Sequence, residues 1–323
     1  MSTLRSVSFA LGALAFAATC AVCSINGLKS VALAGPPTSL LFVSDPHVNE
    51  IAVFSLPDLT IVKVPIKGLD QPHGLCSDDS GNIWVANTTA QRMKLYSRAG
   101  KLITKLKDPD GYPFACSVDP NLAVANIYNK VHDMSGPGET EIYINSAGIP
   151  TSYDPPTVYS VHGVAYDPVG DVYIDGLTKA GTFVLAVLRA GSKAVQQISI
   201  TGPVIHYPGM VQWDEDDHYL AVGDRRCDTP RTTCIYHVKI SGLTGTIIGK
   251  TTFKAHNGHV ICDMAQGVIA TQGPKFLAGG DDESSCRYAK SSVDRWAYPA
   301  GGLPTNYIHS TLTRPFGTAI SAK

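Results

Sequence analysis

The stretch "QPHGLCSDDSGNIWVAN" (71–87) recurs, and that recurrence limits what this chain can fold into. Related text appears as "PFACSVDPNLAVAN" (113–126), "VHGVAYDPVGDVYIDG" (161–176), "YPGMVQWDEDDHYLAVGD" (207–224) and "GHVICDMAQGVIATQG" (258–273). Each copy reads as a strand, a polar turn and a second strand. Further strand-like runs follow, such as "RMKLYS" and "KLITKLK" after the first copy. Copies that start roughly 40 to 55 residues apart, with four short strands in each, have the period of a propeller blade. The ends complete the count. "RPFGTAIS" (314–321) reads as a lone first strand, while "SLLFVSD", "EIAVFSL" and "TIVKVPI" near the start supply a second, third and fourth. One blade shared between the termini closes a ring without leaving an open sheet edge in that blade. The expectation is an all-β, six-bladed β-propeller over residues 38–323. A β-sandwich would explain neither the repeat nor the divided blade. A parallel α/β fold would need long 3.6-period segments, which the chain lacks after its N-terminal stretch.

Composition agrees with this. Of 323 residues 44% are apolar and 16% charged, enough for a large core. Thirty Gly and 21 Pro are spread along the chain as turns between short strands. A net charge of −1 gives no field that would favour nucleic acid or an anionic membrane. The N-terminus differs from the rest. One Arg precedes an apolar, Ala-rich run from Val7 to Cys23, short for a membrane span, and Ala32-Leu33-Ala34 fits a small-x-small cleavage site. Residues 1–34 therefore read as a signal peptide, and the mature chain as secreted or periplasmic without a membrane span. An uncleaved anchor or a lipid anchor on Cys20 is the lesser reading. Of the six remaining cysteines, Cys227 and Cys234 flank the polar turn "DTPRTT" and are expected to form a disulfide. Cys76 and Cys262 share one repeat position two blades apart, and are expected to be unable to pair and to be buried as small apolar groups. Trp84, Tyr173 and Tyr219 fall in second strands and should pack between blades.

The histidines carry the functional question. His73 is followed by Asp78 and Gly81, and His162 by Asp167 and Gly170, at the same offsets. His259 keeps the Gly, Gly267, but has Met264 in place of the Asp. Phe114, Pro208 and Phe316 hold the same place in the other blades. Three histidines in alternate blades could converge on the axis, and three imidazoles with an open fourth position suit a catalytic zinc. The plainer reading is a repeated turn histidine that hydrogen-bonds backbone near the channel mouth. "DEDD" (214–217) reads as a polar turn rather than a calcium loop, and "GGDDESSCR" (279–287) as a solvated acidic loop. No G-x-S-x-G is present.

The "P-H-G-L-x-x-D-x-x-G-N-I-W-V" text resembles the NHL-type six-bladed propellers, a group of hydrolases, lyases and non-enzymatic binding scaffolds. Within it, the "P-H" histidines resemble those of the peptidyl-α-hydroxyglycine α-amidating lyase. That resemblance implies zinc held by His73, His162 and His259, with Tyr128 of "LAVANIY" as a phenolate base. Where that family has an Arg after the second strand of the closing blade, this chain has Ser44, Asp45 and Pro46. A streptogramin-type lyase, which also uses a propeller histidine with a divalent cation, is a further resemblance. A sugar lactonase would need an acidic residue at the start of an inner strand. Asn87, Asn126 and Asp224 end second strands suitably for it, but Glu50 and Glu215 are ill placed. The first functional reading is an exported propeller that binds a small molecule or a protein across its channel face. A divalent-metal lyase or hydrolase is the alternative, and a lactone hydrolase ranks below it.

Overall fold

In the computed structural model, residues 39–62, 65–129, 136–228, 232–259, 261–270, 274–282, 291–309 and 312–322 are described. The stretch read as a signal peptide lies outside them, as does most of the acidic loop "GGDDESSCR". Two strands open the described chain, β1 (Ser39–Asp45) and β2 (Glu50–Leu56). Blade 1 follows as β3 (Pro72–Ser77), β4 (Ile83–Asn87), β5 (Arg92–Tyr96) and β6 (Leu102–Lys107). Blade 2 is β7 (Gly111–Asp119), β8 (Asn121–Asn129), β9 (Glu139–Tyr143) and β10 (Thr151–Tyr153). Blade 3 is β11 (Ser160–Tyr166), β12 (Val172–Leu177), β13 (Phe183–Leu188) and β14 (Val195–Thr201). Blade 4 is β15 (Pro208–Asp214), β16 (Tyr219–Asp224), β17 (Cys234–Ser241) and β18 (Thr244–Thr252). Blade 5 is β19 (Gly267–Ala270), β20 (Phe276–Asp281), β21 (Ser292–Ala297) and β22 (Asn306–His309), and β23 (Thr318–Ala322) ends the chain.

Neighbouring strands within each blade are antiparallel. The outer strands of blades 3 and 4 also pair in parallel, which fuses those two blades into one eight-stranded sheet. The divided blade forms as expected: β23 pairs with β1 from Thr318↔Val43 to Ala322↔Ser39, and β1 pairs with β2. Its fourth strand is reduced to two bridges, Phe54↔Ile61 and Ile51↔Ile66. The innermost strands β3, β7, β11, β15, β19 and β23 touch one another in that order, and β23 returns to β3. Six apolar clusters fill the seams, one between each pair of neighbouring blades. Each fully buried Leu or Phe in them contributes about 1.5–3 kcal/mol. Trp84 lies in the seam of blades 1 and 2, and Tyr173 stacks on Trp213 of the next blade at 5.9 Å. Tyr219 donates to the Tyr298 hydroxyl of blade 5 at 3.0 Å.

The repeated D-x-x-G has a local cause. The Asp78 and Asp167 carboxylates accept the amides of Asn82 (2.8 Å) and Asp171 (2.9 Å), which pins the hairpin between first and second strands. Gly81 and Gly170 take φ of 74° and 87° there, a conformation that costs any other residue energy. Blade 5 departs from this rule and corrects the sequence reading. Gly267 is not among the positive-φ glycines; it starts the innermost strand and pairs with Gly279. The described residues of "GHVICDMA" before it form no strand. Ile261, Cys262 and Met264 are buried as loop, because the Asp281 carboxylate accepts the Cys262 (2.9 Å) and Asp263 (3.0 Å) amides.

The Cys227–Cys234 disulfide is present, and its short loop limits it to roughly 2–3 kcal/mol. A second disulfide, Cys76–Cys116, joins the innermost strands of blades 1 and 2. Cys262 is disulfide-bonded as well. Cys76 and Cys262 are not bonded to each other, as expected, but each is in a disulfide rather than being simply a small apolar group. Cys76 has its partner in the adjacent blade, at the matching height of the neighbouring inner strand. The disulfides suit an oxidising compartment. No helix among the described residues is long and apolar enough to cross a membrane.

Deleting residues 318–323 removes the innermost ladder of the divided blade and exposes β1 as a bare edge. Thermal unfolding of that truncation should occur on the order of 10 °C lower; an unchanged midpoint would contradict ring closure by β23. A second expectation concerns the seam of blades 1 and 2. There Asp108, Glu139 and Glu141 are buried, each with one unpartnered oxygen; burial first, then a neighbouring carboxylate (Asp110 for Asp108, chiefly Asp108 for the two glutamates), raises their pKa values to about 6, 7 and 9. An acid whose pKa is raised on folding favours the folded state at low pH. Stability should therefore decline as pH climbs from about 4.5 towards 9. Glu141→Gln, which keeps an acceptor for the Tyr143 hydroxyl, should flatten that decline in urea titrations at pH 6 and pH 9. An equal decline in the variant would count against the assignment.

Candidate functional site

The channel is built from what lines up at one end of the six inner strands. His73 and His162 stand at the starts of β3 and β11, and Phe114 and Phe316 hold the corresponding places in blade 2 and the divided blade. The rings form a collar. His73 lies 4.8 Å from both Phe114 and Phe316, and Phe114 lies 5.1 Å from Phe316 and 5.6 Å from His162. Tyr207 continues it at 5.6 Å from His162. Below the collar, the Gln266 carboxamide of blade 5 clamps the Leu75 peptide of blade 1: its oxygen accepts the amide (3.1 Å) and its nitrogen donates to the carbonyl (2.9 Å). The channel is thereby divided. A cavity of about 290 Å³ opens above the collar, a void of about 20 Å³ lies at the waist, and about 390 Å³ opens below.

The second strands position the upper cavity. Asp224, buried at the end of β16, accepts the His206, Tyr207 and Arg226 amides at 2.9, 3.1 and 2.8 Å. Asn87, ending β4, accepts the Asp70 amide at 2.7 Å. Asp281, ending β20, holds Cys262 and Asp263 as described above. Asp45, ending β1, accepts the Thr313 (2.6 Å) and Arg314 (3.0 Å) amides. Asn87 and Asp224 are two of the positions considered above as lactonase metal ligands; the third, Asn126, turns its amide nitrogen to Asp108. The oxygens of Asn87 and Asp224, like those of Asp45 and Asp281, are spent instead on backbone N–H groups, which fix the loops that carry the cavity's side chains.

Those side chains are His73, Arg225, Asp263, Asp282 and Arg314, with Phe316 and Pro315 as apolar wall. Arg225 forks onto Asp263, Nε to Oδ1 at 2.5 Å and Nη2 to Oδ2 at 2.6 Å. Arg314 donates from Nε to Asp282 at 3.1 Å. The Arg225 guanidinium also lies 5.5 Å from the Tyr207 ring centre and 6.0 Å from that of Phe316.

His73 is held in one tautomer. Its Nδ1 lies 3.0 Å from the Gln71 carbonyl and 2.8 Å from Thr88 Oγ1, and Thr88 Oγ1 donates to the Pro113 carbonyl at 2.6 Å. A carbonyl can only accept, and the Thr88 proton is committed, so Nδ1 carries the hydrogen. Nε2 is left as a lone-pair acceptor with no partner among the described residues. Burial, then the charges of Arg314 and Arg225, lower this pKa to about 4 despite the Gln71 bond. His162 is more deeply buried, with Nε2 3.0 Å from Ser160 Oγ and Nδ1 unpartnered. Burial and Arg225 lower its pKa to about 3.

The three sequence-selected histidines are not brought together. Phe114 stands between His73 and His162. His259 is exposed in the turn Ala255–His259, where its carbonyl accepts the Ala255 amide at 2.7 Å and its own amide donates to Asn257 Oδ1 at 3.0 Å. It is not on an inner strand, because the blade 5 repeat begins later than its text suggests. Among the described residues no group of three or more His, Cys, Asp or Glu is placed to hold a metal ion. Tyr128 is half-buried near the end of β8 and lines none of these cavities. Arg225, Arg314, Asp263 and Asp282 escaped the sequence reading. The signal for Arg225 and Asp282 is that each follows the Asp ending a second strand.

The NHL repeat model matches residues 69–94, which are most of blade 1. No curated protein matches the sequence. Two solved structures are similar in fold. One is a protein of unknown function from Bacteroides caccae, with TM-score 0.63 and 12% identity over 88% of this chain and 100% of that one. The other is a functionally unknown protein from Desulfotomaculum acetoxidans DSM 771, with TM-score 0.57 and 13% identity over 88% and 99%. At such identities the likeness concerns fold alone. The chain is thus a β-propeller, one segment of which matches the NHL repeat model.

The two channel histidines should stay neutral through the physiological range. In NMR titrations the His73 and His162 ring signals should show no inflection between pH 5 and 8. Because both pKa values are lowered on folding, their contribution to stability is present above about pH 6.5 and declines as pH falls towards 4. An inflection near 6.5 for His162 would contradict its burial beside Arg225.

Proposed function

We propose that the protein is a ligand-binding propeller whose site is the upper channel cavity. The observation that carries this is His73 Nε2, a fixed, unpartnered acceptor in a 290 Å³ cavity bounded by two arginine–aspartate pairs and the Phe316 ring. The volume is close to the lower range of small-molecule sites, and a few fixed polar groups on an apolar wall are their usual makeup. The two pairs balance in charge. The cavity therefore selects by hydrogen-bond pattern: a donor on the ligand for Nε2, and acceptors for the guanidinium N–H groups that the aspartates leave unused. Binding is favoured over acid–base catalysis because an imidazole with a pKa of about 4 is a weak base at neutral pH. The NHL repeat is in keeping with a binding scaffold.

A fragment screen by ligand-observed NMR should yield hits that compete for one site. Those hits should be lost in His73→Phe, whose ring keeps the collar contacts, and retained in His259→Phe. Hits indifferent to His73→Phe, or sensitive to His259→Phe, would overturn the reading.

A further inference from the structure

The waist beneath the upper cavity has a polarity of its own. Its void of about 20 Å³ is the size of one water molecule or one ligand oxygen. Arg225 and His162 are the only ionisable side chains among its lining residues, and no carboxylate lines it. Arg225 and Phe316 line both this void and the cavity above, so the two spaces share a wall.

Both polar groups have donors to spare. Asp263 takes Nε and Nη2 of Arg225, and Nη1 has no partner among the described residues. For His162, two proton arrangements are open. If Nε2 carried the hydrogen and donated to Ser160, the buried Ser160 hydroxyl proton would have no acceptor and Nδ1 would be an idle lone pair. If Ser160 Oγ donates to Nε2, only the Nδ1–H is left over. The second arrangement strands fewer groups, and buried stranded groups are costly. His162, whose ring lines the void, is then left with one unpartnered N–H donor on a side chain more than nine-tenths buried.

Resting on the reading of the upper cavity as the ligand site, we propose that the waist is an anion subsite: the ligand is a small organic carboxylate, and one carboxylate oxygen is received by Arg225 Nη1 and His162 Nδ1. The remainder of the ligand lies in the upper cavity against Phe316. Charge-assisted donors in a water-poor channel bind a carboxylate oxygen more strongly than a neutral one. The Arg225 guanidinium has donors only, so it offers an amine or a metal cation no acceptor there. It is the second cause, after burial, of the low His162 basicity.

The test compares isobutyrate with isobutyramide, which share shape and differ in charge, on full-length protein carrying ¹⁵N-histidine. Isobutyrate should bind saturably, roughly tenfold or more tighter than the amide, and should shift the His162 Nδ1 resonance, which should sit at a protonated-nitrogen position beforehand. His162→Phe retains a ring against Phe114 and Tyr207 and should abolish the preference for charge. Ser160→Ala, which releases the tautomer without removing the ring, should weaken it. Equal binding of acid and amide, both sensitive to His73→Phe, would overturn the anion subsite and leave the cavity reading standing. Binding of neither probe at tens of millimolar would also overturn it, as would acid binding that His162→Phe leaves unchanged. Acid binding that depends on His162 but not on His73→Phe would uphold the subsite and sink the wider cavity reading.

Discussion

The hydrogen bonds that tie the ends of four second strands to the loops entering their own blades fix the part of this molecule that carries its site. Asp45, Asn87, Asp224 and Asp281 are buried, and each accepts backbone N–H groups from a loop that would otherwise have no partner for them. A buried, unpaired backbone amide is costly, so the side chain and the loop are held together by the same penalty. The clipped loops are also the ones that carry chemistry. Tyr207, Asp263 and Arg314 lie within them, and Arg225 and Asp282 follow Asp224 and Asp281 directly. The cavity is thus a by-product of how four blades secure their innermost strands.

Two blades solve the same problem differently. In blade 2, Asp108 accepts the Gly111 amide at 2.7 Å, and Asn126 turns its nitrogen towards Asp108 at 3.4 Å. That brings Asp108 into the seam beside Glu139 and Glu141, where the acids stay partly protonated. In blade 3 the corresponding second-strand position is Gly176. A Cβ there would collide with the Ser160 carbonyl, and the loop is tied instead by the Tyr159 amide to the Leu177 carbonyl at 2.7 Å. Asp175 beside it is fully buried, and burial raises its pKa to about 8. The repeat tolerates such changes because each blade packs its strands mainly against its two neighbours.

Much of the architecture was legible in the sequence, because a turn that needs an Asp and a positive-φ Gly leaves a mark at fixed spacing. The divided blade was legible for the same reason, and the shared height of His73 and His162 followed from their common offset. His259 was misplaced because "GHVICDMA" has the apolar texture of a strand. Only the captured amides of Cys262 and Asp263 make it a buried loop. Cys76 and Cys116 were legible in principle, since consecutive blades put them on neighbouring inner strands. Of the cavity's arginines, Arg314 carried no motif and Arg225 only its place after the Asp that ends β16. Their pairing with Asp263 and Asp282 joins loops of different blades, and no local pattern records such contacts.

Second-strand side chains position the cavity. Residue-resolved hydrogen exchange on Asp224→Ala tests this most directly. The His206, Tyr207 and Arg226 amides should exchange at least about tenfold faster than in the wild type, as loss of charge-assisted hydrogen bonds requires. The ladder amides of β15 and β16 should keep their protection. Unchanged exchange at those three amides, or uniform acceleration throughout blade 4, would contradict the claim.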